Sequence, residues 1–126
     1  MNTAIGAIAG GSATGDNNTF VGTWTGYKTD GDSNTAIGNS AGAGVIGDYN
    51  TALGAYAGRS VTADRTTSIG YYATASKDDA IAVGTNSTAS ATTSIAMGTS
   101  ASANSTNAIA IGTGATASGT NSISIG

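Results

Sequence analysis

The sequence predicts an all-β chain folded as a parallel β-solenoid of about nine coils. Three observations carry that prediction. A glycine closes a short apolar phrase at Gly6, Gly22, Gly38, Gly54, Gly70, Gly84, Gly98, Gly112 and Gly126, in four steps of sixteen residues and then four of fourteen. Self-similarity at a fixed period is the signature of a repeat architecture. Inside the phrases apolar and small residues alternate with period two, as in Ile109-Ala110-Ile111, which is the spacing of a strand and not of a helix. No segment carries a helical stripe, and the chain has no proline to interrupt a ladder.

Composition sets the limits. Ala, Gly, Ser and Thr fill 80 of the 126 positions, only 9% of residues are charged, and the net charge is −3. A chain so small and polar resembles a disordered one by content, so its order has to come from spacing. The four basic residues, Lys28, Arg59, Arg65 and Lys77, form no cluster of the kind nucleic acid requires. No apolar run approaches the roughly 18 residues of a membrane helix, so direct membrane insertion is not expected of this segment. The N-terminus runs straight into a repeat without a charged and then apolar leader, and reads as an excised segment of something longer. There is no His for acid–base work or nucleophile activation, and no phosphate-loop Lys follows any glycine. The residues give no support for an enzyme, a metal site or a cofactor.

In chain order, the expected single domain 1–126 has two wordings. Residues 1–70 form coils of sixteen residues. Their phrases are Asn2 to Gly6 (NTAIG), Asn18 to Gly22 (NTFVG), Asn34 to Gly38 (NTAIG), Asn50 to Gly54 (NTALG) and Thr66 to Gly70 (TTSIG). A small residue and a second glycine follow at Ala9-Gly10, Thr25-Gly26, Ala41-Gly42 and Ala57-Gly58, and a Gly-Asp turn at 15–16, 31–32 and 47–48. Residues 71–126 form coils of fourteen. Here Ala stands at the third and fifth positions after the glycine, as in Ala73 and Ala75 or Ala101 and Ala103, and reads as a second, thinner strand. Each coil is expected to hydrogen-bond to the next about 4.8 Å along the axis, and its section to narrow after Gly70.

The alternation assigns two faces. The larger aliphatics are expected to form the core ladder: Ile5, Val21, Ile37, Leu53 and Ile69, then Val83, Met97, Ile111 and Ile125, with Ile81, Ile95, Ile109 and Ile123 two residues earlier. The small residues between them, Ala4, Ala36, Ala52, Ser68, Ala82, Ala96, Ala110 and Ser124, are expected to lie against neighbouring chains. Phe20 breaks the small ladder without a sequence-level reason. One buried aliphatic is worth about 1.5–3 kcal/mol, and ordering one residue's backbone costs about 1–2 kcal/mol. So thin a rod looks underfilled alone, which points to association.

These phrases resemble the head repeats of YadA-like trimeric autotransporter adhesins. The stretch from Gly70 to Gly126, with Ile-x-Ile-Gly followed by Ala-x-Ala, is similar to them closely. The first half is looser and also looks like repeats of phage tail fibres. The resemblance implies a left-handed parallel β-roll, a homotrimer around one axis, and a non-enzymatic attachment module displayed outside a bacterial cell. It also implies partners such as an extracellular matrix protein, a glycan or a host-cell receptor. The alternatives are a shaft or receptor-binding segment of a tail fibre on a virion, and a purely structural extracellular fibre.

Among candidate sites, the aromatics Trp24, Tyr27, Tyr56, Tyr71 and Tyr72 gather in the first half and at the seam, and Trp24, Tyr56 and Tyr72 each follow a phrase glycine by two residues. They read either as turn padding or as ligand anchors. The recurring Asp16, Asp32, Asp48 and Asp64 suggest calcium, but sixteen-residue spacing favours turn capping. The Asn-Thr steps favour internal ladders over an ice-binding array.

Overall fold

A computed structural model describes all residues, 1–126. It contains thirteen strands, no helix and no cis peptide bond. The phrase strands are β1 (Thr3–Ile5), β2 (Thr19–Val21), β3 (Thr35–Ile37), β4 (Thr51–Leu53), β5 (Thr67–Ile69), β7 (Ile81–Val83), β9 (Ile95–Met97), β11 (Ile109–Ile111) and β13 (Ile123–Ile125). They pair in parallel, in that order, as one nine-stranded sheet. Register follows the repeat: Thr35 pairs with Thr51, Thr67 with Ile81 across the change of period, and Ile109 with Ile123. Phrase residues are neighbours because each N–H and C=O is satisfied by the coil above or below.

The opposite side differs between the halves. After Gly70 the Ala-x-Ala segments form β6 (Thr74–Ala75), β8 (Thr88–Ala89), β10 (Ser102–Ala103) and β12 (Thr116–Ala117), a four-stranded parallel sheet. Before it only single bridges link Thr14, Asp30, Ile46 and Thr62. The cause lies in the corners. A fourteen-residue coil has left-handed residues two and nine after its glycine, as at Ser100 and Asn107. A sixteen-residue coil has four, at two, four, six and eleven, as at Trp24, Gly26, Lys28 and Ser33. The two additional residues make an extra corner, and losing it lets the second side straighten into a true strand.

Burial inverts the two faces expected from the sequence. The small ladder points inward: Ala36, Ala52, Ser68, Ala82, Ala96 and Ala110 are buried, the last three with no exposed surface. Only the end-coil members Ala4 and Ser124 retain exposure. The aliphatic ladder points outward. Ile37, Leu53, Met97 and Ile111 are 39–44% exposed, Ile5, Ile123 and Ile125 more so at the ends, and Val21, Ile69, Ile81, Val83, Ile95 and Ile109 are half-buried. Neither the core nor the interchain assignment holds in the single chain. Facing sheets with ordinary side chains stand about 10 Å apart, whereas the two sheets here face each other mainly through alanine methyl groups. Twelve alanines, among them Ala73, Ala89, Ala103 and Ala117, form one continuous cluster there.

Phe20, also inward and 1% exposed, is the exception that fits. The residues across the coil from it are Gly10 and Gly26, and a Cβ on Gly26 would run into its ring. The phrase glycines serve a different purpose. Gly98 has φ near +133°, and a Cβ there would stand 2.5 Å from the carbonyl oxygen of Gly112. Consecutive coils approach closely at this ladder, so no other residue fits.

The polar interior is ladder-built as well. Asn34 Nδ2 donates to the Gly47 carbonyl at 2.9 Å, and Asn34 Oδ1 accepts the N–H of Asn50, one coil on, at 2.9 Å. Asn18 and Asn50 repeat the pattern, which ends where Thr66 donates to Asn50 through both its N–H and its hydroxyl. No buried side-chain polar atom lacks a partner.

Candidate functional site

The solenoid stacks equivalent positions, so a surface site is read by offset from the phrase glycine. At offset two stand Trp24, Ser40, Tyr56 and Tyr72, on a corner where the backbone is left-handed, with φ of 58°, 54°, 60° and 55°. At offset five, on the flank beyond, stand Tyr27, Ala43 and Arg59. The two columns meet over three consecutive coils. Trp24 and Tyr27 form one wall and Tyr56 and Arg59 the other. Ser40 and Ala43, from the coil between, form the floor of an open groove of about 410 Å³. A second concavity of about 210 Å³ shares Tyr27, Ala43 and Arg59, and adds Lys28, Gly44 and Ser60.

The walls are built from ring-to-ring contacts. The Trp24 and Tyr27 rings meet edge to face with centroids 4.9 Å apart. Tyr56 stacks on Tyr72 at 4.8 Å, and Tyr71 packs edge-on against Tyr72 at 4.6 Å and Tyr56 at 6.2 Å. The structure therefore brings the five aromatics singled out in the sequence together in two clusters, separated by the small coil that carries Ser40. Tyr49, on a different corner, stands apart and exposed.

Four contributors escaped sequence reading: Ser40, Ala43, Lys28 and Arg59. Aligning the coils by their glycines and reading down offsets two, five and six would have found them. Their charges are distinctive. The Lys28 ammonium lies 5.3 Å from the Tyr27 ring centre and the Arg59 guanidinium 6.0 Å from that of Tyr56, within cation–π reach. Neither takes part in any ion pair of the chain.

Arg65 is different. It donates through Nε to Asp79 Oδ1 at 2.6 Å and through Nη2 to Asp79 Oδ2 at 3.1 Å, with Asp64 and Asp78 at about 4 Å. The two-pronged bond from Arg65 holds the Asp79 carboxyl below the usual carboxylate range, and Asp79 in turn raises Arg65. This clasp lies where sixteen-residue coils meet fourteen-residue ones.

The aspartate ladder is occupied by backbone. Asp32 Oδ1 accepts the N–H of Asp16 at 2.7 Å, Asp48 that of Asp32 at 2.7 Å, and Asp64 that of Asp48 at 2.9 Å. Each carboxylate caps the preceding coil rather than its own turn. No three metal-ligating side chains converge anywhere in the chain, and no helix is long and apolar enough to cross a membrane.

The second exposed feature is the aliphatic stripe on the outer face of the nine-stranded sheet, from Ile5 to Ile125. A contiguous apolar face of this kind marks an interaction surface.

Comparison with known proteins places these features. A search of curated protein sequences gives no match. Among solved structures, the collagen-binding domain of the Yersinia adhesin YadA superposes with a TM-score of 0.62 at 28% sequence identity. The match covers 99% of this chain and 80% of that one. The family model of the YadA head domain repeat, which describes two copies of the unit, matches residues 62–87, 75–101, 89–115 and 103–126. Together these overlapping matches span 62–126, just over half of the chain, and on that footing the protein belongs to the YadA head domain repeat family.

Proposed function

We propose that the chain is a non-enzymatic attachment module, a head segment of a trimeric bacterial surface adhesin that binds host matrix protein. The observation that carries this reading is the likeness, over 99% of the chain, to a YadA domain described as collagen-binding. The absence of His and the capping of Asp32, Asp48 and Asp64 by backbone N–H groups fit a surface that binds without chemistry. The natural location is the outside of a bacterial cell, where YadA-type adhesins are displayed.

Homotrimer formation is supported by the aliphatic stripe. Leu53, Met97 and Ile111 remain more than a third exposed in the lone chain, and three copies turning these ladders toward a shared axis would bury them at about 25 cal/mol per Å². Light scattering on the purified chain is expected to give three times the chain mass. A well-folded monomer would overturn the trimer. Immobilised collagen is expected to retain the trimer in a solid-phase assay, and no retention at any accessible concentration would overturn the matrix reading.

A further inference from the structure

We propose that the groove between Trp24 and Tyr56 is a saccharide site, and that the sugar it takes is acidic, carrying a carboxylate or a sulfate. The proposal deepens the attachment reading, on which it rests for its setting at a host surface.

The backbone around the groove has no free edge. Trp24 N–H donates to Ala7 O, Ser40 to Thr23, Tyr56 to Asn39 and Ser60 to Ala43, all at 2.8–2.9 Å. An extended peptide therefore cannot add here as a strand, and recognition falls to side chains. Those side chains are aromatic faces with polar tips, set on either side of a small floor. Trp24 and Tyr56 are two coils apart, about 10 Å at the usual strand spacing, and Ser40 leaves the interval open. A pyranose ring has an apolar face for such a platform and hydroxyls for Ser40 Oγ and the tyrosine hydroxyls.

Charge selects within that class. The protein carries −3 overall and only four basic side chains. Two of these, Lys28 and Arg59, flank the adjoining concavity and have no carboxylate partner. A guanidinium with both edges unpaired is suited to a planar carboxylate or a sulfate. The same left-handed corner is occupied by Ile8, Asn86, Ser100 and Gly114 in coils outside the groove.

The test is titration of the assembled protein with three labelled hexasaccharides: heparin-derived (sulfated), hyaluronan-derived (carboxylated) and maltohexaose (neutral). At least one acidic probe is expected to bind, the neutral probe to bind much more weakly, and added salt to weaken the complex. The identity of the better acidic probe distinguishes sulfate from carboxylate. Trp24→Asn places at this corner the residue found at Asn86, so the coil is retained, and circular dichroism verifies it. This variant is expected to lose about tenfold in affinity, as is Arg59→Gln, while Lys77→Gln, outside the groove, stays at the parent value. No binding of either acidic probe, equal binding of the neutral one, or undiminished binding by both groove variants overturns the proposal. Collagen retention measured on the same samples separates the two readings: retained collagen with no saccharide binding removes only the groove assignment.

Discussion

Phe20 sits in the interior at a place where every other strand of the large sheet carries Ala or Ser. It is tolerated because Gly10 and Gly26 face it, so the interior is dimensioned to within a methyl group. Two outcomes follow. Phe20→Ala leaves a void that the flanking coils cannot close, and is expected to cost about 3–5 kcal/mol in denaturant unfolding. Ala96→Leu introduces a side chain with no glycine opposite, and is expected to cost at least 1–3 kcal/mol or to break the coil. By contrast, the outward Leu53→Asp is expected to leave the coil's circular dichroism unchanged while shifting light scattering from trimer to monomer. These responses separate inward from outward positions that alternation alone does not distinguish.

The elements show where sequence reading succeeds and where it stops. The glycine period sets the number of coils, their register and the Ala-x-Ala strand, because each depends only on spacing along the chain. It does not tell which face of Ile-Ala-Ile lies inside, since both faces are uniform and either one fits the alternation. That choice depends on the width of a closed loop, a property of the whole coil. The groove was hidden for a related reason: Ser40, Ala43 and Arg59 are unremarked residues until three coils are stacked. The polar ladders make their own prediction. Asn34→Ala removes the acceptor of the Asn50 N–H and the donor to Gly47, both in the interior, and is expected to cost about 1–3 kcal/mol. The Arg65–Asp79 clasp sets a pH response at the seam. Asp79 ionises more readily folded than unfolded, so its stabilising effect is complete above its ordinary pKa of 3.8 and is lost as pH falls through the lower folded value. The pair is exposed, so the effect is small and screened by salt. An acid melt of Asp79→Asn is expected to lack that component.

At the scale of the molecule, the rod combines an interior of methyl groups and hydrogen-bonded Asn and Thr side chains with an apolar outer stripe, an arrangement that suits association of chains better than isolation. Its groove lies off that stripe, on a corner and the flank beyond it, so the proposed trimer contact and the proposed saccharide site draw on different surfaces. The charge-free run from Ala80 to Gly126 adds length without adding a competing electrostatic site.

The coil-to-coil hydrogen bonds run along the rod's long axis. A lengthwise tug on one chain therefore loads only the bonds of the outermost coil, and the rest bear nothing until that coil yields. Each released coil of the second half pays out fourteen residues, about 46–50 Å of slack when fully extended. A single tethered chain is a ratcheted line that lengthens in fixed steps under load, and optical-trap records should show those steps shifting to the longer payout of sixteen residues once the seam is passed.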